Sequence, residues 1–247
     1  MRQYESEKRE CYHIINIDNV SYHYDMGFCL QNISINIVKD ATIAFVGANG
    51  AGKTTLFNLI FGILKPTNGS IYINHGLENQ DIKNYVRYLP QFNTLFNKLT
   101  VEENLHTVCH FLKIKKEIIN EITEKILTDI NFIPLRNNLF ETLSEGQKRI
   151  LNYFATLIRT PKILLLDEPY SSLDIRHQEL VNNSIFELKK KGCTVLISSH
   201  ILDPLEEICD EYYFLDNGRI IDSHNSNILK TNNLHNLLKE KFLKPDL

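Results

Sequence analysis

The sequence predicts an α/β fold, a largely parallel sheet flanked by helices, with a block of helices set into the middle of the chain. Three observations point there. Several short, almost wholly apolar runs, Thr42–Val46 and Ile163–Leu166 among them, read as strands covered on both faces. These runs alternate with segments of helical spacing, as strand–helix–strand units do. Between about Leu95 and Thr160 the alternation stops, glycine becomes nearly absent and helical periodicity takes over.

Each element has its own signal. Gln31–Val38 alternates so that Ile33, Ile35 and Ile37 share one face of a half-buried strand. Thr42–Val46 runs straight into a glycine-rich turn, and Lys53–Phe61 follows as a helix. Ser70–Ile73 and Val86–Leu89 are the next strand candidates. Inside the helical block, Val101–Leu112, Glu117–Ile130 and Glu145–Ile158 carry helical spacing, and Thr100 with Glu103 forms a capping box for the first. Strands resume at Ile163–Leu166 and Thr194–Ser198. Tyr212–Leu215 and Arg219–Ile221 then flank Asp216-Asn217-Gly218, whose Asn-Gly pair is a strong hairpin signal. The segment after Asp222 reads as a polar-faced helix.

Composition removes several classes of function. A chain of 247 residues is long enough for one large domain or two small ones, and a fold of this size buries about 70–75% of its unfolded surface. With 43% hydrophobic and 23% charged residues it is not a disordered chain. Lys+Arg 27 against Asp+Glu 30 leaves a net charge of −3, so no nucleic-acid partner is expected. The five cysteines (Cys11, Cys29, Cys109, Cys193, Cys209) are scattered and contain no C-x-x-C pair, which argues against a disulfide framework or zinc site. No apolar run approaches the roughly 20 residues of a membrane-spanning helix, and the N-terminus lacks a signal-peptide stretch. Any work at a membrane must then pass through a separate subunit.

The chemistry sits in three short stretches. Gly47-Ala48-Asn49-Gly50-Ala51-Gly52-Lys53-Thr54 fits G-x-x-x-x-G-K-[ST] at every position, between a buried strand and a helix. Its glycines let main-chain N–H groups close around phosphate oxygens, Lys53 supplies a point charge, and the Thr54 hydroxyl can ligate Mg²⁺. Ile163-Leu164-Leu165-Leu166-Asp167-Glu168 is an apolar strand ending in two carboxylates, one placed for Mg²⁺ and the next for accepting a proton from an attacking water. Taken alone it is a solvated strand end; following a phosphate loop it reads as a catalytic edge. Leu143-Ser144-Glu145-Gly146-Gln147 opens a helix with an S-x-x-Q capping box. Taken alone it is a capped helix, and its place about 20 residues before the Asp-Glu strand argues for a phosphate-facing terminus.

These stretches together resemble the nucleotide-binding subunit of an ABC transporter, from about Val20 to Ile221. GANGAGKTT resembles the Walker A motif, LSEGQ the family signature, and ILLLDEP the Walker B motif with the catalytic glutamate. Gln91 resembles the Q-loop glutamine, Ser172-Leu173-Asp174 the D-loop, and His200 the switch histidine. Tyr24 matches the aromatic that stacks on adenine, with Tyr22 as the other candidate, although an ordinary strand face explains both. The resemblance implies a P-loop NTPase fold: a RecA-like core with an antiparallel β subdomain (1–94 and 161–225), an α-helical subdomain (95–160) and a C-terminal helical tail (226–247).

The resemblance also implies ATP hydrolysis with ATP and Mg²⁺. Gly47, Asn49, Gly50, Ala51, Gly52, Lys53, Thr54 and Thr55 would hold the phosphates, with Thr54, Gln91 and Asp167 on Mg²⁺. Glu168 would activate water and His200 would contact the γ-phosphate. Ser144, Gly146 and Gln147 would bind the nucleotide of a second subunit, and Asp174, which also suits a helix cap, would touch that subunit. Two copies, or this chain and a paralogue, would close on ATP at the cytoplasmic face of a membrane and drive a separate permease, with export favoured over import. Phe92, Leu95, Phe96 and Leu99 are either the permease-docking surface or core of the helical block. Two departures stand out: Glu145 replaces the usual signature glycine and is expected to point away from phosphate, and Lys39-Asp40 lacks the customary Gly-Glu turn. Rival readings are an ABC ATPase outside transport, such as one serving iron–sulfur assembly, and a regulatory module that binds ATP without turnover. The DNA-repair ATPases of the superfamily need a long coiled coil that is missing here.

Overall fold

The computed structural model describes residues 13–25, 27, 29–73 and 85–226. A three-stranded antiparallel sheet, order β2-β1-β4, is built from β1 (His13–His23), β2 (Cys29–Val38) and β4 (Asn68–Ile73). The main sheet has order β5-β6-β7-β3-β8-β9, from β5 (Val86–Leu89), β6 (Ile163–Asp167), β7 (Thr194–Ser199), β3 (Thr42–Val46), β8 (Glu211–Asp216) and β9 (Arg219–Asn225). Its first five strands run parallel, and β9 returns antiparallel. Among the described residues the α-helices are α1 (Lys53–Phe61), α2 (Val101–Phe111), α3 (Lys116–Asp129), α4 (Glu145–Thr156) and α5 (Ile175–Lys190). The expected α/β core with an antiparallel sheet and a helical block is present.

Side chains of the central strands alternate between two cores. Ala44, Val46, Leu164, Leu166, Val195 and Ile197 pack with the helical block and α5, against Leu105, Phe140, Ile150, Tyr153 and Val181. Ile43, Phe45, Ile163, Leu165 and Leu196 face the other way, against Leu56, Phe57 and Ile60 of α1 and Ile15, Ile33 and Ile37 of the small sheet. Two-sided burial is why β3 and β6 are apolar at consecutive positions. Each fully buried Leu, Ile or Phe contributes about 1.5–3 kcal/mol of transfer free energy.

Local signals act where they stand. Thr100 and Glu103 form the capping box of α2. Asn217 (φ 44) and Gly218 (φ 75) are both left-handed in the β8–β9 turn, as a two-residue hairpin of primed type requires. In the Lys39-Asp40 turn Asp40 itself takes the left-handed conformation (φ 60), and its N–H donates to Thr194 Oγ1 at 2.8 Å. An aspartate tolerates that geometry, so the missing glycine is replaced rather than lost.

The differences from expectation are at edges and at one whole strand. α2 and α3 end one residue early, α4 ends at Thr156, and β9 extends to Asn225. β1 carries no clean alternation because its register shifts between Ile17 and Val20, with Asn19 at φ 47. A bulge of this kind hides a strand from a period-two reading. The expected tail at 226–247 lies, beyond Ser226, outside the described residues. Cys109, Cys193 and Cys209 are buried free thiols. Among the described residues no helix is long and apolar enough to cross a membrane.

Candidate functional site

Because β5, β6, β7 and β3 run parallel, their C-terminal ends share one edge of the sheet, where ligands of open α/β folds bind. The loop after β3 carries the phosphate motif. Gly50 (φ 85) and Gly52 (φ 107) are left-handed, and Gly52 caps α1 without any side-chain bond. α1 has no acidic residue in its first turn, so its N–H groups present an open positive end. Gly47 has a steric reason: a Cβ there would lie 2.3 Å from the Leu215 main-chain oxygen.

Lys53 is buried and folds over its own loop. Its Nζ donates to Gly47 O at 2.7 Å and Ala48 O at 3.1 Å, and lies 3.3 Å from Glu168 Oε1. Asp167, fully buried at the end of β6, accepts from Thr54 Oγ1 at 2.7 Å, from the Tyr88 hydroxyl at 3.4 Å, and from Ser198 Oγ. Burial first, and then the Asp167 charge, pushes the Tyr88 phenol well above its ordinary pKa, so it stays a donor. Glu168 follows with a left-handed backbone (φ 50), a strained state for a glutamate. Its Oε2 pairs with His200 Nδ1 at 2.8 Å, and its Oε1 has the Lys53 charge beside it but no hydrogen-bond donor.

A cavity of about 420 Å³ opens over this edge. Asn49, Gly50, Gly52, Lys53, Thr54 and Thr55 line one side, and Gln91, Glu168 and Tyr24 the others. Tyr24, 43% exposed, is held by a 3.2 Å bond between its hydroxyl and Thr55 Oγ1, with the Tyr22 ring edge-on against it at 4.9 Å. Of the two tyrosines, Tyr24 is the one at the cavity. Gly47 and Ala51 build the loop from behind, and Asp167 is sealed beneath Thr54. His200 reaches the cluster through Glu168.

The residues present fit ATP and Mg²⁺. A glycine cradle faces an uncapped helix end, a lysine stands where negative charge must be met, and Glu168 carries an unsatisfied buried oxygen. Thr54 and Asp167 offer the hard oxygen donors that Mg²⁺ takes.

Ser144, Gly146, Gln147 and Asp174 are not brought into this cavity. Ser144 and Gln147 cap α4 reciprocally, Gln147 N–H to Ser144 Oγ at 3.2 Å and Ser144 N–H to Gln147 Oε1 at 2.9 Å. Gly146 packs against the neighbouring loop, where a Cβ would stand 2.6 Å from Ser172 O. Asp174 caps α5 by accepting from His177 N–H at 2.9 Å. Glu145 points away from the helix end, onto Lys148 at 2.8 Å. Phe92 and Phe96 are 70% and 49% exposed while Leu95 is buried, so the apolar group divides: Leu95 belongs to the core and the phenylalanines do not.

Three residues at this edge escaped the sequence reading: Tyr88, Ser198 and Arg149. Each sits in an ordinary-looking strand or helix, and no local pattern marks it.

The family model for the ABC transporter matches residues 30–171, and the phosphate loop, capped helix and Asp-Glu strand all fall inside that span. The chain belongs to this family. It is an ATPase of the ABC type. The ABC transporter ATP-binding protein YhaQ of Bacillus subtilis, itself uncharacterised, is 31% identical over 83% of this chain and 69% of its own length. LptB of Haemophilus influenzae, the ATP-binding protein of a lipopolysaccharide export system, is 29% identical over 84% of this chain and 89% of its own. The structure of cbiO1 from Clostridium perfringens, part of the transporter complex cbiONQ, superposes with a TM-score of 0.73 at 25% identity, covering 94% of this chain and 96% of that one.

Proposed function

We propose that this ABC ATPase works as one of two cassettes that close on ATP and drive cargo through separate membrane subunits. The observation that carries the reading is the split of the motifs. The phosphate loop, Gln91 and Glu168 line one cavity with Asp167 buried beneath Thr54, while the capped helix at Ser144 lies outside it. A cassette built this way needs Ser144, Gly146 and Gln147 of a second subunit to complete its site. The second subunit is another copy of this chain or a paralogue.

The residues then have defined tasks. Lys53 and the N–H groups of Asn49 to Thr55 orient the phosphates, and the Tyr24 ring stacks on the base. Thr54, Asp167 and Gln91 would hold Mg²⁺, which when bound would offset negative charge on the phosphates. Glu168 takes the proton of the attacking water at its carboxylate, and His200, on Glu168 Oε2, fixes that carboxylate and contacts the γ-phosphate. Closure is a population shift driven by a ligand that binds the closed pair better. Asp174, at the head of α5, meets the second subunit.

Exposed Phe92 and Phe96 beside the Gln91 loop form the permease-docking surface, which keeps the chain peripheral at the cytoplasmic face. Outward transport is the direction proposed, as in the export system that LptB serves, and relatives of equal likeness include an importer. Glu168→Gln tests the whole scheme: it should bind ATP, stall, and elute as an ATP-bound dimer on a sizing column. Normal turnover in that variant would remove Glu168 from its role. Phe92→Asp should release the chain from native membranes with its ATPase activity intact; loss of both together would overturn the docking assignment.

A further inference from the structure

Arg149 lies in the second turn of α4, is 4% exposed, and bonds through its guanidinium to main-chain oxygens on two separate segments. Nη1 donates to Pro90 O at 2.6 Å and Gln91 O at 3.4 Å. Nη2 donates to Glu168 O at 3.1 Å and to Asp167 O. Burial lowers its pKa to about 10, and the nearby charges of Asp167 and Glu168 oppose that fall, so the group remains a cation. A buried cation is unfavourable unless its donors are met, and here carbonyls of the catalytic edge take both Nη groups, while Nε is left without a hydrogen-bond partner.

The same turn is gripped from its other side. The Glu168 N–H donates to Ser198 Oγ at 3.0 Å and to Ser198 O at 3.1 Å, while the Ser198 hydroxyl donates to Asp167 Oδ1. Carbonyls are thus held by Arg149 and the N–H by Ser198, around a residue whose φ of 50 is unfavourable for a glutamate. α4 is also the helix whose N-terminus carries Ser144.

We propose that Arg149 is a positioning residue for ATP hydrolysis: it holds the Asp167–Glu168 turn in its left-handed form and ties it to the Gln91 loop and to the helix capped by Ser144. A shift of α4 is thereby felt at Glu168 within the same chain. The proposal rests on the reading of Glu168 as the base. Only a planar fork with donors on separate nitrogens spans both segments, so lysine is a poor substitute.

The test compares Arg149→Met, Arg149→Lys and Ser198→Ala with the unaltered chain by steady-state ATPase kinetics, fluorescent-nucleotide titration and thermal denaturation. Arg149→Met should lower kcat about 100-fold, the scale of a misplaced catalytic group. Nucleotide affinity should stay within about threefold, since the phosphate loop is untouched. Arg149→Lys should recover about a tenth of the rate, and if the methionine variant fails to fold, the lysine variant carries the same split between kcat and affinity. The double variant combining Arg149→Met with Ser198→Ala should be little slower than the slower single change, because both act on one turn. A kcat that merely tracks the folded fraction, multiplicative effects in the double variant, or affinity lost in step with rate would each overturn the proposal. Glu168→Gln is assayed alongside: full turnover there takes down the base assignment and this proposal with it. An inactive Glu168→Gln beside a fully active Arg149→Met sinks the proposal alone.

Discussion

Gly47→Ala isolates what the first glycine of the phosphate loop is for. The added Cβ would lie 2.3 Å from Leu215 O and 3.1 Å from the Ala51 Cβ. Carbon and oxygen pack at about 3.3 Å, so about 1 Å must be found. No rotamer can supply it, because the obstacle is the main chain of β8, which is locked to β3 by the parallel ladder running Ile43–Glu211 to Val46–Phe214. The cost of forcing apart a packed interior is about 1–3 kcal/mol. For a chain of this size, each kcal/mol moves the midpoint about 2–4 °C, giving a fall of about 2–12 °C by differential scanning calorimetry. Gly50→Ala is the control. A Cβ there meets nothing within 4 Å, and the penalty is only the left-handed backbone at φ 85. That is worth about 1–2 kcal/mol. Gly50→Ala should therefore lose less stability, with most of its deficit appearing in nucleotide affinity. A Gly47→Ala midpoint within about 1 °C of the parent, on the scale of about 2–4 °C per kcal/mol, would mean β8 yields and the steric argument is wrong.

Further outcomes follow from the same geometry. Thr100→Ala removes the hydroxyl half of the α2 capping box and should cost about 1 kcal/mol without altering nucleotide affinity. The box also holds the Glu103 carboxyl below its ordinary pKa, first through the Thr100 main chain. A depressed carboxylate stabilises above its unfolded pKa and loses that contribution as pH falls through the folded one; Thr100→Ala keeps the main-chain N–H, so both proteins should lose stability in acid, and only the smaller hydroxyl-dependent part of their difference in thermal midpoint should shrink. Tyr24→Phe keeps the ring and loses only the 3.2 Å bond to Thr55, whereas Tyr24→Ala loses the ring itself. ATP titration should find the first near parental affinity and the second about tenfold weaker or more, a stacking contribution of about 1–3 kcal/mol; equal loss in both would assign the effect to Thr55 instead.

How the site assembles explains what could be read in advance. The phosphate loop, both capping boxes and the Asn217-Gly218 turn were legible because their physics is local: a cap, a left-handed glycine or a primed turn is satisfied within about four residues. The buried strands were legible because burial on two faces leaves consecutive apolar side chains, as in Ile163–Asp167. The bulged strand β1 was not, since its pairing with β2 and β4 interrupts the period that would announce it.

By itself, then, the sequence determined the elements other than β1, the phosphate-binding chemistry and the order of the motifs along the chain. Tertiary structure alone decided that Lys53, Glu168 and His200 meet, and that Arg149 turns inward to carbonyls instead of outward to water. The reason is that strand order is a non-local property. β3, β6 and β7 look alike as apolar runs, and only their pairing as β6-β7-β3 sets residues 53, 168 and 200 side by side.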